Sequence, residues 1–117
     1  MANESPLKSK SYAFALRIIK LYNYLENNKE FVLSKQILRS GTSIGASISE
    51  AKFGQSKADF IHKMSISLKE ANETDYWLNL LKDGSFVDEK LFKSMSKDVN
   101  ELISMLVSTV KTLKSKN

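Results

Sequence analysis

The chain has 117 residues, of which 42% are apolar and 26% charged, with four glycines, one proline, no cysteine and a formal net charge of +5. This composition is that of an ordinary globular domain, and the lack of cysteine excludes disulfides, zinc-thiolate sites and thiol catalysis. No apolar run approaches the roughly 20 residues that span a bilayer, and the first ten residues lack the apolar segment of a signal peptide, so a cytoplasmic protein is expected.

The first helix is predicted from about Pro6 to Glu26. Pro6 suits a first helical turn and Ser5 can cap it. Its buried side is predicted from residues that lie alternately four and three positions apart, namely Leu7, Ser11, Phe14, Ile18, Leu21 and Leu25. Ala15, Ile19 and Tyr22 widen this apolar stripe, which indicates the core of a bundle. The turn is predicted at residues 27–29, because asparagine tolerates the left-handed conformation that ends helices.

The second helix is predicted from a cap at Ser34 to about Phe53, with Gly54 as its stop. Gly41, Gly45 and Ser49 share one stripe on this helix. Glycine costs about 1 kcal/mol relative to alanine inside a helix, so a compensating close approach by another helix is expected. The alternative is a loop at residues 39–43 between two shorter helices.

The third and fourth helices complete the predicted fold. Ser56 followed by Asp59 resembles a capping box, and it opens a helix over Lys57 to Asp83 that Gly84 ends in a left-handed conformation. Asp88 is the predicted cap of the last helix, whose core side runs from Leu91 to Leu113. Four amphipathic helices joined by short turns predict an all-α, antiparallel up-down-up-down four-helix bundle formed by one domain over residues 1–117.

Patterns that suggest catalysis or metal binding have simpler explanations. Asp59 and His62 match the carboxylate-x-x-histidine pair of di-iron bundles, but such a site needs two pairs and the chain has one histidine. The segment GTSIG lacks the lysine and the preceding strand of a phosphate-binding loop. The acidic residues Glu50, Glu70, Glu73 and Asp75 are expected in ion pairs or interface contacts. We therefore expect a protein that is not an enzyme and uses no cofactor or metal.

A second buried surface is predicted on the third helix, opposite its core side. Trp77 lies there at helical spacing with other side chains that are less polar than a freely solvated face, and aromatic residues dominate interfaces. Self-association is therefore expected, unless Trp77 folds back along its own helix or the bundle is wide enough to cover it. The predicted oligomer interface comprises Gly41, Gly45, Ile66, Glu70, Glu73 and Trp77.

The excess positive charge lies toward the two ends of the chain. Residues 1–40 carry a net +4, residues 41–81 a net −1 and residues 82–117 a net +2. Such a charge permits an anionic partner, and the two ends form one basic surface if the first and last helices lie side by side. The alternative is a solvated face that only aids solubility. The predicted nucleic-acid surface comprises Lys8, Lys10, Arg17, Lys20, Lys111 and Lys114.

Several segments resemble one known family. They are the segment RSGTSIG at residues 39–45, Glu50-Ala51, Asp59-Phe60, and the run KEANETDYWL at residues 69–78. These segments are similar to a bacterial family of small four-helix-bundle proteins named for open reading frames in 23S rRNA intervening sequences. The family is similar in turn to the accessory variability protein of diversity-generating retroelements. Ser47 and Ser49 depart from the asparagine and alanine that commonly precede the glutamate in this family.

The resemblance implies a ring-like homopentamer with a role related to nucleic acid, and it implies no catalytic residues. For the retroelement relative it implies a basic surface that engages RNA and a reverse transcriptase. Five copies of a chain with net charge +5 carry +25, which favours electrostatic binding. The expected function is an accessory or binding module for RNA or an RNA-handling protein. The alternative is a structural or protein-protein interaction module with no nucleic-acid role.

Overall fold

The computed structural model describes residues 5–116, and within this range the regular structure is entirely helical. The helices are α1 (Pro6–Asn27), α2 (Leu33–Ala51), α3 (Lys57–Asp83) and α4 (Glu89–Ser115). The predicted all-α fold is confirmed. The predicted bounds differ by one or two residues, mainly at the end of α2, where Lys52 and Phe53 lie in a turn.

The helices pack as an antiparallel four-helix bundle in chain order. Each helix packs against the next, and α4 closes the bundle by a slighter contact with α1. Lys10 of α1 contacts Glu101 of α4. Arg17, later in α1, contacts Asp98, earlier in α4, so these two neighbouring helices run antiparallel. The bundle measures 48 × 25 × 23 Å, so its grooves between neighbouring helices run along its length.

The core is formed by the predicted inward faces. All six predicted core positions of α1 are buried, and Met95, Val99, Leu102 and Leu106 are buried on α4. Ile19, predicted to widen the core stripe of α1, is instead 42% exposed. Ile19 is rotated by about 100° around the helix from buried Ile18, and it lines the groove between α1 and α2.

The glycines of α2 allow α1 to approach closely. A Cβ atom on Gly41 would lie 2.6 Å from Cγ1 of Ile18, and one on Gly45 would lie 3.3 Å from Oγ of Ser11. Residues 39–43 are helical, so the alternative of a loop there is wrong. The predicted close helix packing is confirmed, and its partner is α1 of the same chain.

Small hydroxyl side chains hold α2 against α3. Ser67 donates a hydrogen bond to the carbonyl oxygen of Ile44 at 2.8 Å, and Thr74 donates to Oγ of Ser40 at 2.9 Å. All three hydroxyl residues are buried. Because each hydroxyl has a partner, polar side chains are accommodated in the core without the cost of an unmade hydrogen bond.

The first turn of α2 is capped from the preceding loop. The buried carboxylate of Glu30 accepts hydrogen bonds from the backbone N–H groups of Val32, Leu33 and Ser34, at 3.2, 3.1 and 2.6 Å. The prediction that Ser34 is the cap is therefore wrong. Ser34 lies inside the helix, and its hydroxyl donates to Oε2 of Glu26 at 2.8 Å.

The other helix starts follow the sequence prediction, whereas the left-handed turn residues do not. Ser5, Ser56 and Asp88 each accept a hydrogen bond from the backbone N–H three residues later. The positive φ angles belong to Lys29 and Ser85, both at 66°. The left-handed residue thus follows the predicted Asn28 and Gly84 by one position. Among residues 5–116, no helix is long and apolar enough to span a membrane.

The close approach at Gly41 predicts the effect of a single methyl group. Alanine gains about 1 kcal/mol in helix propensity, but overpacking against all three outer carbons of Ile18 costs about 1–3 kcal/mol. Gly41→Ala is expected to lower the free energy of unfolding measured in urea. Gly45→Ala is the matched control, because its Cβ meets Ser11 at a wider distance beside an open groove. Equal changes in both variants would contradict this account.

The contact between Ser34 and Glu26 predicts a dependence of stability on pH. The hydroxyl of Ser34, with Lys35 beside it, lowers the pKa of Glu26 below its ordinary value although partial burial opposes the shift. The resulting stabilisation is present at neutral pH and is lost as the pH falls through the lowered pKa. Glu26→Gln should therefore flatten the decline in unfolding free energy between about pH 5 and pH 3.

A matched control separates this effect from a general loss of negative charge. Glu89 is exposed at the start of α4, and Glu89→Gln removes the same charge. Thermal unfolding of both variants across the acid range tests the assignment. An equal flattening in the Glu89→Gln variant would show that the contact with Ser34 is not its source.

Candidate functional site

The flank between α2 and α3 carries a linked polar cluster. Arg39 of α2 forms ion pairs with Glu70, at 3.3 Å, and with Glu73, and both acids lie on α3. Nε1 of Trp77 donates a hydrogen bond to Oε2 of Glu73 at 2.9 Å. One arginine therefore joins three of the residues that the sequence placed at an oligomer interface.

The structure distributes the six predicted interface residues over two regions. Ile66, Glu70, Glu73 and Trp77 are half-buried on the α3 flank, and Trp77 packs partly against the core. Gly41 is covered by Ile18 of its own chain, so it offers no surface to a second copy. Gly45 lies at the edge of a groove on the other side of α2. An interface role for the exposed members remains a prediction.

This groove, between α1 and α2, has a largely apolar lining. It has a volume of about 410 Å³ and its floor includes Gly45, Ala46 and Ser49. Tyr12 and Leu16 line it from α1, with 68% and 49% of their surfaces exposed. Contiguous exposed apolar surface of this kind marks interaction sites on soluble proteins.

The six predicted basic residues do not form one continuous cationic surface. Lys10 pairs with Glu101 at 3.3 Å, and Arg17 pairs with Asp98 at 2.5 Å, so acidic residues of α4 compensate both. Lys8 lines the apolar groove between α1 and α2, and Lys114 lies near His62 at the opposite edge of the same end of the bundle. Lys20 is exposed and lines a separate groove, and Lys111 is exposed on α4.

That separate groove lies between α1 and α4 and has a volume of about 400 Å³. Arg17 crosses it, donating to the carboxylate of Asp98 and, at 2.8 Å, to the hydroxyl of Ser94. The remaining lining residues are mostly apolar or aromatic, and they are Lys20, Leu21, Tyr24, Leu91 and Met95.

Four of the residues considered for metal or acid-base chemistry have structural partners. Asp59 accepts a hydrogen bond from the backbone N–H of Gln55 at 3.1 Å, which makes it part of the start of α3. Glu50 pairs with Lys63, while Glu70 and Glu73 pair with Arg39. Within residues 5–116, no three histidine or acidic side chains converge as metal ligands.

The sequence analysis did not predict the ion pairs of Arg39 or the exposed apolar surface formed by Tyr12 and Leu16. Arg39 is separated by about thirty residues from its acidic partners, so only the antiparallel packing of α2 and α3 brings them together. Tyr12 and Leu16 are four residues apart on the face of α1 opposite its core stripe. That spacing was a detectable signal for a second apolar face.

The fold and these surfaces define a small all-α bundle with surface grooves. The family model described as "23S rRNA-intervening sequence protein" matches residues 4–108, so the chain belongs to that family. A solved structure from Bacteroides thetaiotaomicron VPI-5482, described as a protein of unknown function from the S23 ribosomal protein family, is similar. It is 54% identical, with a TM-score of 0.89 over 90% of this chain and 98% of that chain. The comparison with curated proteins finds no match.

Proposed function

We propose that this protein is a noncatalytic, self-associating helical bundle that serves as an accessory or binding module for RNA or an RNA-handling protein. The proposed assembly is a homopentamer, as the resemblance to the accessory variability protein of retroelements implies, and the proposed location is the cytoplasm. Self-association rests on one observation, the exposed apolar face of α1 beside the small residues of α2.

The geometry of this face supports a protein partner. Tyr12 and Leu16 stand above Gly45, Ala46 and Ser49, whose short side chains leave depth for an inserted apolar residue. Burial of a leucine-sized side chain contributes about 1.5–3 kcal/mol, so repeated contacts around a ring are expected to stabilise it. The α3 flank with Trp77 offers a second contact region, as a closed ring requires two different surfaces on each copy.

The RNA role is supported by the net charge and the family. Each chain has a net charge of +5, so the positive charge of an assembly grows with the number of chains in it. The affinity of a protein for a polyanion rises with the number of phosphates that it neutralises. The alternative is a protein-protein interaction module with no nucleic-acid role. It is favoured by the compensation of Lys10 and Arg17 by acidic residues of α4.

Solution mass tests the proposed assembly. Five chains of 13.2 kDa give a particle of about 66 kDa by light scattering. Leu16→Asp places a charge in the α1–α2 groove and is expected to shift the mass toward smaller species. Val107→Asp, a matched change at an exposed apolar residue of α4, is expected to leave the mass unchanged.

Trp77→Ala extends this test to the α3 flank, with circular dichroism confirming that each variant remains helical. A smaller mass is expected because the substitution removes a large aromatic side chain from the proposed second contact region. A monomeric wild-type chain would refute the proposed assembly. A mass unaffected by both Leu16→Asp and Trp77→Ala would show that neither face is the interface.

An RNA titration against salt separates the two functions. An RNA module is expected to bind a single-stranded oligonucleotide at about 50 mM salt, with affinity falling steeply toward about 200 mM. Fluorescence anisotropy measures the affinity at both salt concentrations, and duplex RNA of the same sequence is the comparison ligand. Absence of binding at low salt would favour the module with no nucleic-acid role.

A further inference from the structure

We propose that the groove between α1 and α4 is a binding site for single-stranded RNA, in which Lys20 and exposed lysines on the adjoining surface of α4 hold the phosphates and Tyr24 stacks on a base. The proposal rests on the RNA role proposed above and assigns that role to one surface. Of the six basic residues that charge distribution predicted, this surface includes Arg17 and Lys20.

One exposed lysine lines the groove, and two more lie on the adjoining surface of α4, outside its lining. Lys20 lines the groove from α1, three residues after Arg17 and four before Tyr24. On α4, Lys97 lies three residues after Ser94 and four before Glu101, both of which bond α1 residues, and Lys90 lies four residues before Ser94. Residues three or four apart share a face of a helix, so Lys90 and Lys97 border the same groove.

These three lysines differ from Lys10 and Arg17, which pair with acidic residues of α4. Lys20, Lys90 and Lys97 are exposed, and within residues 5–116 they form no ion pair. Lys10 and Arg17 already neutralise Glu101 and Asp98, the acids of α4 that face α1. The positive charge that remains beside the groove is therefore available to phosphates.

The interior of the groove suits an unpaired base. Tyr24 is 47% exposed and lies beside Leu91 and Met95, which give the groove an apolar floor. Its volume of about 400 Å³ is within the range of pockets that enclose small ligands. Aromatic side chains stack on the bases of single strands, whereas the bases of a duplex already stack on each other. The combination of lysines and one accessible ring thus favours a single strand over a duplex.

The ion pair between Arg17 and Asp98 contributes to the shape of this site. Arg17 spans from α1 to both Asp98 and Ser94, so it holds the two walls at a fixed separation where the helix contact is otherwise slight. Fixed walls reduce the ordering that binding requires. Arg17 is accordingly a positioning residue in this site, and it is left unchanged in the test.

The test compares two triple variants of the full chain with the same loss of charge. The groove variant is Lys20→Gln/Lys90→Gln/Lys97→Gln. The control is Lys69→Gln/Lys111→Gln/Lys116→Gln, which alters three exposed lysines elsewhere, among them one of the predicted chain-end residues. Anisotropy is measured with a labelled single-stranded RNA of about 16 nucleotides, between about 50 and 200 mM salt.

The groove variant is expected to bind at least about tenfold more weakly at low salt, with a slope of log affinity against log salt reduced by about 2. The control is expected to change affinity less than about threefold. Tyr24→Ala should weaken binding by about fivefold or more, whereas Tyr24→Phe, which keeps the ring, should bind like the wild-type chain. Duplex RNA should bind more weakly than the single strand.

The outcomes separate this proposal from the proposed function. If the wild-type chain binds no RNA at low salt, both are overturned. If it binds RNA but the two triple variants lose affinity equally, or if the duplex binds as well as the single strand, the groove assignment alone is overturned. Circular dichroism of each variant verifies that a loss of affinity does not arise from unfolding.

Discussion

The close packing of α1 on α2 at Gly41 determines which surfaces of this bundle remain for partners. Ile18 occupies the space that a side chain at residue 41 would take, so the two helix backbones approach more closely than leucine-lined helices do. The contact between α1 and α4 is slight and is bridged by polar side chains. A groove lies on each side of α1, one beside α2 and one beside α4.

Polar residues within the core follow from the same constraint. α2 packs closely against both α1 and α3, so it needs short side chains on both of these faces. Ser40 of α2 and Thr74 of α3 are such side chains, and they meet where the two helices pack. Their hydroxyl groups bond to each other and to backbone, so they provide directional contacts where larger apolar side chains would keep the helices apart. Such contacts favour one register of α2 on α3 and so fix Arg39 opposite Glu70 and Glu73.

The helices and their inward faces were predictable from the sequence because both depend on local spacing. Ser5, Ser56 and Asp88 act over three residues, and their caps were predicted correctly. The cap of α2 was missed because Glu30 reaches forward from a loop, an arrangement that the helix-start pattern does not include. The ion pairs of Arg17 and Arg39 were missed because each joins residues that only the tertiary packing brings together.

The two grooves on α1 allow assembly and RNA binding to use different surfaces of one helix. The groove beside α2 is lined mainly by apolar and small residues, while the groove beside α4 is lined by Arg17 and Lys20 as well as by apolar residues. In a ring assembled through the first groove and the α3 flank, the second groove remains accessible on every copy. A single strand that reaches several copies gains affinity from their effective concentration, without a strong site on any one of them. Under the proposed function, the modest charge of one chain would then be sufficient, because the whole ring would set the number of phosphates neutralised.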